Sequence, residues 1–145
     1  MDSVEIIATG LNIQEQDKQA VLQLATELDR CWNKRDAGAF SDLFETDGDF
    51  RWHTGSWVKG KAAIEDFWGQ QVFPGIPESV RHEVVAKCIR FVTENVAIGD
   101  GIIRVVDTGG GQERVHLETE CTVLVVKRNA RWYISAARLA VLSPA

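Results

Sequence analysis

The sequence predicts a single α+β domain whose helices come first and whose antiparallel sheet follows. Three observations support this fold class. Residues 14–34 carry apolar side chains at helical spacing, four long runs rich in β-branched residues follow Pro77, and only short turns separate those runs. Helices followed by strands is the element order of an α+β domain. The 145 residues suffice for one domain with its own hydrophobic core, and we expect that core to span about 15–142.

The first half of the chain predicts three helices. The longest runs from about Gln14 to Lys34. Its apolar face contains Ala20, Val21, Leu24, Leu28, Cys31 and Trp32. Asp36 is placed to cap a second helix that continues to Phe44, and a third helix covers about 61–71 before Pro74 ends it.

Strands account for most of the remaining chain. A short strand at Asp49–His53 separates the second and third helices, because polar and apolar residues alternate there. The four long strands are predicted at Ser79–Val92, Asn95–Asp107, Gln112–Lys127 and Arg131–Leu142. Short connections between them predict an antiparallel meander. The three helices carry the large apolar stripes, so we expect them to cover one face of a strongly curved sheet.

Composition and motif spacing exclude several functional classes. The formal charge of −5 argues against a nucleic-acid partner, and no apolar run is long enough to span a membrane. The first ten residues lack the pattern of a signal peptide, so a cytoplasmic location is expected. Neither the three cysteines nor His53, His82 and His116 have the spacing of a metal site, and structural or surface roles are predicted for them. No cofactor-binding motif is present.

Four motifs carry a resemblance to a known family. They are CWNKRDAGAFSDLFETDGDF at 31–50, GSWVKGKAAI at 55–64, NVAI at 95–98 and CTVLVVKRNARWYISAA at 121–137. In this order the chain resembles the nuclear transport factor 2-like superfamily, and within it the SnoaL-like and ketosteroid-isomerase-like group. The resemblance implies a cone-shaped sheet closed by three helices, with a cavity inside the cone.

The resemblance does not extend to the chemistry of ketosteroid isomerases. Those enzymes use a carboxylate base, a tyrosine and a protonated aspartic acid. The corresponding positions of this chain are Trp52, Leu28 and Thr122. Indole takes no proton and leucine donates no hydrogen bond, so that mechanism is not expected. SnoaL-like relatives often carry a histidine on the last strand, where this chain has Arg138.

Strand alternation suggests which polar groups replace the missing ones. If Thr122 faces the cavity, then Glu120 does too, and the same counting turns Asp100, Arg104 and Arg138 inward. The hypothesis is that Asp100 and Glu120 transfer protons while Arg138 holds an oxyanion or a carboxylate. The predicted ligand-binding residues are Trp52, Thr122, Arg104, Leu28 and Trp68.

The opposite orientation of the fourth long strand fits the sequence equally well. In that interpretation the even-numbered row from His116 to Thr122 is solvated, and the odd-numbered row containing Val123 is buried. If the cavity interpretation holds instead, the apolar odd-numbered row lies outside. A second copy of the chain would then cover it, which predicts a homodimer formed through the sheet.

Two functional hypotheses follow from the sequence. The first is a cofactor-free isomerase, cyclase or lyase that acts on a small hydrophobic carbonyl compound. The second is a non-catalytic binding or dimerisation module that kept the fold and lost the chemistry. The missing isomerase residues favour the second hypothesis, whereas the tryptophans and carboxylates favour the first.

Overall fold

One seven-stranded sheet forms the scaffold of the protein in the computed structural model, which describes residues 3–142. The strands are β1 Glu5–Ile7, β2 Phe44–Arg51, β3 Trp57–Lys59, β4 Val80–Thr93, β5 Val96–Asp107, β6 Arg114–Arg128 and β7 Arg131–Val141. Their order across the sheet is β1-β4-β5-β6-β7-β2-β3. Strands β4 to β7 form the predicted antiparallel meander, whereas β1 joins β4 and β2 joins β7 in parallel.

Three helices accompany the sheet: α1 Glu15–Asn33, α2 Ala37–Ser41 and α3 Lys61–Asp66. The chain continues from α3 through a π-helical turn, Phe67–Val72, and a 3-10 turn, Phe73–Gly75. Asp36 caps α2 as predicted, since its carboxylate accepts a hydrogen bond of 3.0 Å from the backbone N–H of Ala39. None of the helices within residues 3–142 is both long and apolar enough to cross a membrane.

The α+β class is confirmed, and three local predictions need correction. The second helix ends at Ser41 rather than Phe44, because Phe44 pairs with Ile134 and opens β2. Strands β1 and β3 were not predicted. Each has only three residues and depends on pairing with a partner distant in sequence or across a turn. Closure of a cone by the helices stays a prediction.

The two rows of β6 face opposite sides of the sheet. The odd-numbered residues Cys121, Val123 and Val125 lie beneath α1, where they border a small apolar cavity of about 70 Å³. The even-numbered residues Glu120 and Thr122 are exposed on the other side. We call this second side the outer face of the sheet. The sequence pattern of alternating apolar residues therefore identifies the buried row correctly.

A buried polar cluster ties α1 to β6 and β7. The Asp17 side chain is nearly enclosed and accepts a 3.0 Å hydrogen bond from the indole N–H of Trp132. The ammonium group of Lys127 lies 3.0 Å from the same carboxylate. Both contacts lower the pKa of Asp17, and the indole hydrogen bond has the larger effect. The cluster thus holds the start of α1 against the sheet.

Candidate functional site

A cavity of about 600 Å³ lies at the end of the sheet where β4 begins and β5 ends. Its wall combines strand residues with the segment 71–77 that follows the π-helical turn. Strand residues on the wall include Val80, Ile103, Val105, Leu117, Thr119 and Leu139. A volume of this size suits a small organic molecule, and the wall is largely apolar.

Three tryptophans supply much of the aromatic wall. Trp52 and Trp68 lie edge to face, with ring centroids 6.1 Å apart. Trp32 packs edge to face on Phe73 at 5.7 Å. Trp68 is buried because the π-helical turn directs it into a group of aromatic rings, including that of Phe40 at 5.0 Å. The rigid rings fix the shape of the cavity.

His82, which lines this cavity, contacts an aspartate of α1. The Nδ1 atom of His82 in β4 lies 2.8 Å from a carboxylate oxygen of Asp29 in α1. The backbone N–H of Val84 donates to both oxygens of Asp29 at 3.0 Å. The imidazole also stacks on Trp32 with a centroid distance of 5.0 Å. His82 is only 7% exposed, so its ring orientation is tightly constrained.

The backbone of His82 is held by the same helix. The side chain of Asn33 accepts the N–H of His82 at 2.8 Å and donates to its carbonyl oxygen at 3.1 Å. Because a carboxylate only accepts hydrogen bonds, Nδ1 of His82 carries the proton in this pair. The other ring nitrogen, Nε2, carries no proton in the neutral tautomer, and His82 lines the large cavity. A neutral imidazole with this tautomer is the arrangement of a general base oriented by a carboxylate.

Three further ionisable residues line the cavity: His53, Asp107 and His116. His53 lies against Trp52 with ring centroids 4.3 Å apart, and burial lowers the pKa of its imidazole. Asp107 accepts a 2.8 Å hydrogen bond from the backbone N–H of Gly109. That bond, followed by one from Ser79, holds the pKa of Asp107 below its ordinary value.

The predicted cavity positions of Glu120 and Thr122 are wrong, and Asp100 borders the small apolar cavity rather than the large one. Glu120 is exposed on the outer face, opposite Ile102 and Ala140 in the neighbouring strands. The hydroxyl of Thr122 donates to the carboxylate of Asp100 at 2.6 Å on that same face. The physical reason is the apolar odd-numbered row of β6, which the helices bury. Neither carboxylate reaches the large cavity.

Arg138 and Arg104 also lie on the outer face. Arg138 forms an ion pair with Asp49 and stacks on the indole ring of Trp57, 4.5 Å from its centroid. Arg104 lies 3.4 Å from Glu83 and 3.6 Å from Glu118, so it pairs with acids of both neighbouring strands. The predicted inward orientation of both arginines is therefore wrong.

The remaining predicted ligand-binding residues divide between two cavities. Trp52 and Trp68 lie on the wall of the large cavity, whereas Leu28 borders the small apolar cavity beneath α1. Of the eight predicted site residues, Trp52 and Trp68 are the two that line the large cavity.

Sequence reasoning missed the His82–Asp29 pair. Two signals were available in the sequence. His82 lies in β4 between Val84 and the buried Val80, and Asp29 directly follows Leu28 on the apolar side of α1. His53, His82 and His116, for which structural or surface roles were predicted, all line the large cavity. Fifty-three residues separate His82 from Asp29, so no local motif joins them.

Comparison with known proteins identifies the family of this chain. The family model described as a SnoaL-like domain matches residues 15–138. No curated protein matches the chain. Among solved structures, a domain of unknown function with a cystatin-like fold from Nostoc punctiforme superposes with a TM-score of 0.81 at 23% identity. That match covers 90% of this chain and 80% of the Nostoc chain.

Two similar structures carry names of enzymes. A putative scytalone dehydratase from Novosphingobium aromaticivorans has a TM-score of 0.74 at 15% identity, covering 88% of this chain and 85% of its own. A type 2 hexachlorocyclohexane dehydrochlorinase has a TM-score of 0.75 at 16% identity, covering 88% and 86%. At these identities the similarity establishes the fold alone. With the family model matching most of its length, the chain belongs to the SnoaL-like domain family.

Proposed function

We propose that this protein is a cofactor-independent enzyme of the lyase or isomerase type that removes a proton from carbon in a small hydrophobic compound. The observation that carries the proposal is the position of His82, which lines a largely apolar cavity of about 600 Å³ and lies 2.8 Å from Asp29. The base is His82 rather than Asp100 or Glu120. We further propose that the sheet forms the cone implied by the family resemblance, with the cavity in its interior.

The proposed step begins with Nε2 of His82. It takes a proton from a carbon next to a carbonyl or another electron-withdrawing group, and the C–H electron pair moves toward that group. In a lyase this pair then forms a double bond as a leaving group departs from the neighbouring carbon. In an isomerase the proton returns at a different carbon. Asp29 stabilises the imidazolium that forms, because its carboxylate accepts the Nδ1–H bond throughout.

The largely apolar wall around His82 favours this chemistry. A charge that develops inside a cavity with few water molecules interacts strongly with fixed polar groups. His53 is available as one such group. Since burial lowers its pKa, the imidazole of His53 is neutral near neutral pH and offers one N–H to a substrate oxygen. The names dehydratase and dehydrochlorinase among the structural neighbours denote eliminations, which agrees with the lyase alternative.

Proton exchange tests the proposal without a known product. We expect the protein to accelerate exchange of the acidic C–H of small aryl ketones in deuterated water, followed by NMR. His82→Gln should lower that rate by about 10²–10⁴-fold, the usual contribution of a general base. Asp29→Asn should also lower it, because its amide no longer enforces the Nδ1–H tautomer. Asp100→Asn, on the outer face, is the matched control and should behave as wild type. Unchanged exchange in His82→Gln would contradict the proposal.

A non-catalytic binding module is the second candidate. The three indole rings on the cavity wall favour it, because they provide contact surface without any requirement for proton transfer. A module of this kind would bind aryl ketones equally well in wild type and His82→Gln, and neither protein would exchange their protons.

The reason for predicting a homodimer no longer holds. That argument required an apolar odd-numbered row of β6 on the outer face, whereas the outer face instead carries the pairs Arg104–Glu118 and Thr122–Asp100. Sedimentation measurements would give the oligomeric state directly.

A further inference from the structure

The charge of the large cavity restricts what it can bind. Among the residues within 3–142 that line it, none is lysine or arginine, and Asp107 is the one carboxylate on the wall. The two arginines predicted from sequence to bind an anion, Arg104 and Arg138, are on the outer face. A carboxylate or phosphate entering the cavity would therefore lose its hydration without gaining a lysine or arginine partner.

Asp107 is held in place as an acceptor. One of its oxygens accepts the N–H of Gly109 at 2.8 Å, and Ser79 contributes a side-chain hydrogen bond. Ser79 is itself fixed, because its carbonyl oxygen accepts both the N–H and the hydroxyl of Thr108 at 2.9 Å. The backbone at the end of β5 is thus tied to the start of β4 on either side of the carboxylate.

The charge of Asp107 is only weakly compensated. The nearest guanidinium, that of Arg114, lies 4.0 Å from Oδ2, and the Arg114 side chain is 73% exposed. An exposed ion pair of this length adds little, since water screens it. The Asp107 side chain is 26% exposed and contributes to the cavity wall. A carboxylate oxygen therefore remains able to accept a hydrogen bond from a ligand.

We infer that Asp107 determines specificity by accepting a hydrogen bond from a hydroxyl or N–H group of an otherwise uncharged, largely apolar ligand, and by excluding carboxylates and phosphates. The inference builds on the proposed function in one respect, namely that the large cavity is the substrate site. It assigns the substrate a donor group at the Asp107 side of the cavity and an apolar body against the indole rings. His82 then acts on the portion of the ligand between them.

Binding of three matched probes tests the inference independently of turnover. The probes are 2-naphthol, which is neutral and donates, 2-methoxynaphthalene, which is neutral and only accepts, and 2-naphthoate, which is anionic. We expect titration calorimetry near neutral pH to give the tightest binding for 2-naphthol. The ether should bind several-fold more weakly, and the carboxylate at least about tenfold more weakly because of repulsion and desolvation.

Two variants separate the role of Asp107 from general effects of charge. Asp107→Asn keeps an acceptor for the Gly109 N–H but removes the charge, so 2-naphthoate should gain about tenfold in affinity relative to 2-naphthol. Asp100→Asn removes the same charge from the outer face and should leave the ratio unchanged. These ratios are measured by binding alone, so the preference can hold even if His82 proves not to be a base.

Several outcomes would overturn the inference. Wild-type protein that binds 2-naphthoate as tightly as 2-naphthol contradicts it, and so does a ratio that Asp107→Asn and Asp100→Asn shift equally. Failure of all three probes to bind contradicts it too. The wild-type ranking decides the matter even if Asp107→Asn does not fold.

Discussion

At the scale of single residues, the clearest energetic contribution comes from Asp17. Its buried carboxylate is the acceptor for the indole N–H of Trp132 and the partner of Lys127, both at 3.0 Å. Asp17→Ala leaves a buried donor without a partner and an ammonium group without its counter-charge. We expect it to lower the free energy of unfolding in urea by about 2–4 kcal/mol. Glu15→Ala, an exposed position on the same helix, should change it by less than about 0.5 kcal/mol.

The same carboxylate gives stability a defined pH dependence. The pKa of Asp17 in the folded protein is lower than its ordinary value of 3.8, chiefly through the Trp132 hydrogen bond. The native state therefore binds this proton less readily than the unfolded chain, so the contribution is complete above pH 3.8 and is lost as pH falls below it. Unfolding experiments across that range should show a smaller pH slope for Asp17→Ala. An identical slope in both proteins would contradict the assignment.

Residue-level prediction from sequence succeeded where composition was informative and failed where geometry was needed. Trp52 and Trp68 stand out as large apolar residues in a charged segment, and both lie on the cavity wall. His82 has no such signature, because its importance arises from Asp29, Asn33 and Trp32 on a helix about 50 residues earlier. Contacts between elements decide which histidine is oriented for chemistry.

At the scale of elements, β-bulges limit what strand alternation can predict. Leu124 pairs with Ala136 while Val125 pairs with Ile134, so Ser135 is an extra residue in β7. Beyond this bulge the facing of β7 reverses, and Leu139 reaches the cavity while Arg138 turns outward. A second shift makes His116 the extra residue between Val115 and Leu117 in β6. Strand alternation inferred from the sequence cannot detect either shift.

A close approach between β4 and β5 makes Gly101 sensitive to substitution. A Cβ atom at this position would lie 2.6 Å from the carbonyl oxygen of Val85 in β4, and backbone cannot move aside easily. We expect Gly101→Ala to destabilise the protein by about 1–3 kcal/mol through this overpacking. Gly75→Ala is the matched control, because a Cβ atom added at Gly75 would have no neighbouring atom within 4 Å. Equal urea midpoints for the two variants would show that β4 and β5 separate at little cost.

At the scale of the whole molecule, local patterns predicted the sequence of helices and strands but not their assembly. Periodicity located α1 and the four long strands, since each element is long enough to repeat its pattern. The parallel pairings of β1 with β4 and of β2 with β7 join segments more than 80 residues apart. The pairing of β2 with β7 positions Trp52 and His53, which directly follow β2 and line the large cavity together with residues of the π-helical turn. Such long-range contacts explain why the polar residues of the cavity were not identified in advance.

A ligand that binds in the large cavity should stabilise the folded protein. A ligand present at about 100 times its dissociation constant adds about 2.7 kcal/mol to the free energy of unfolding. For a chain of this length that corresponds to a rise in Tm of about 5–11 °C. We expect 2-naphthol to produce this shift in wild-type protein, measured by calorimetry. Leu139→Trp enlarges a side chain on the cavity wall and takes up part of the space, so the shift should be smaller. An unchanged shift in Leu139→Trp would contradict binding of the ligand against this part of the wall.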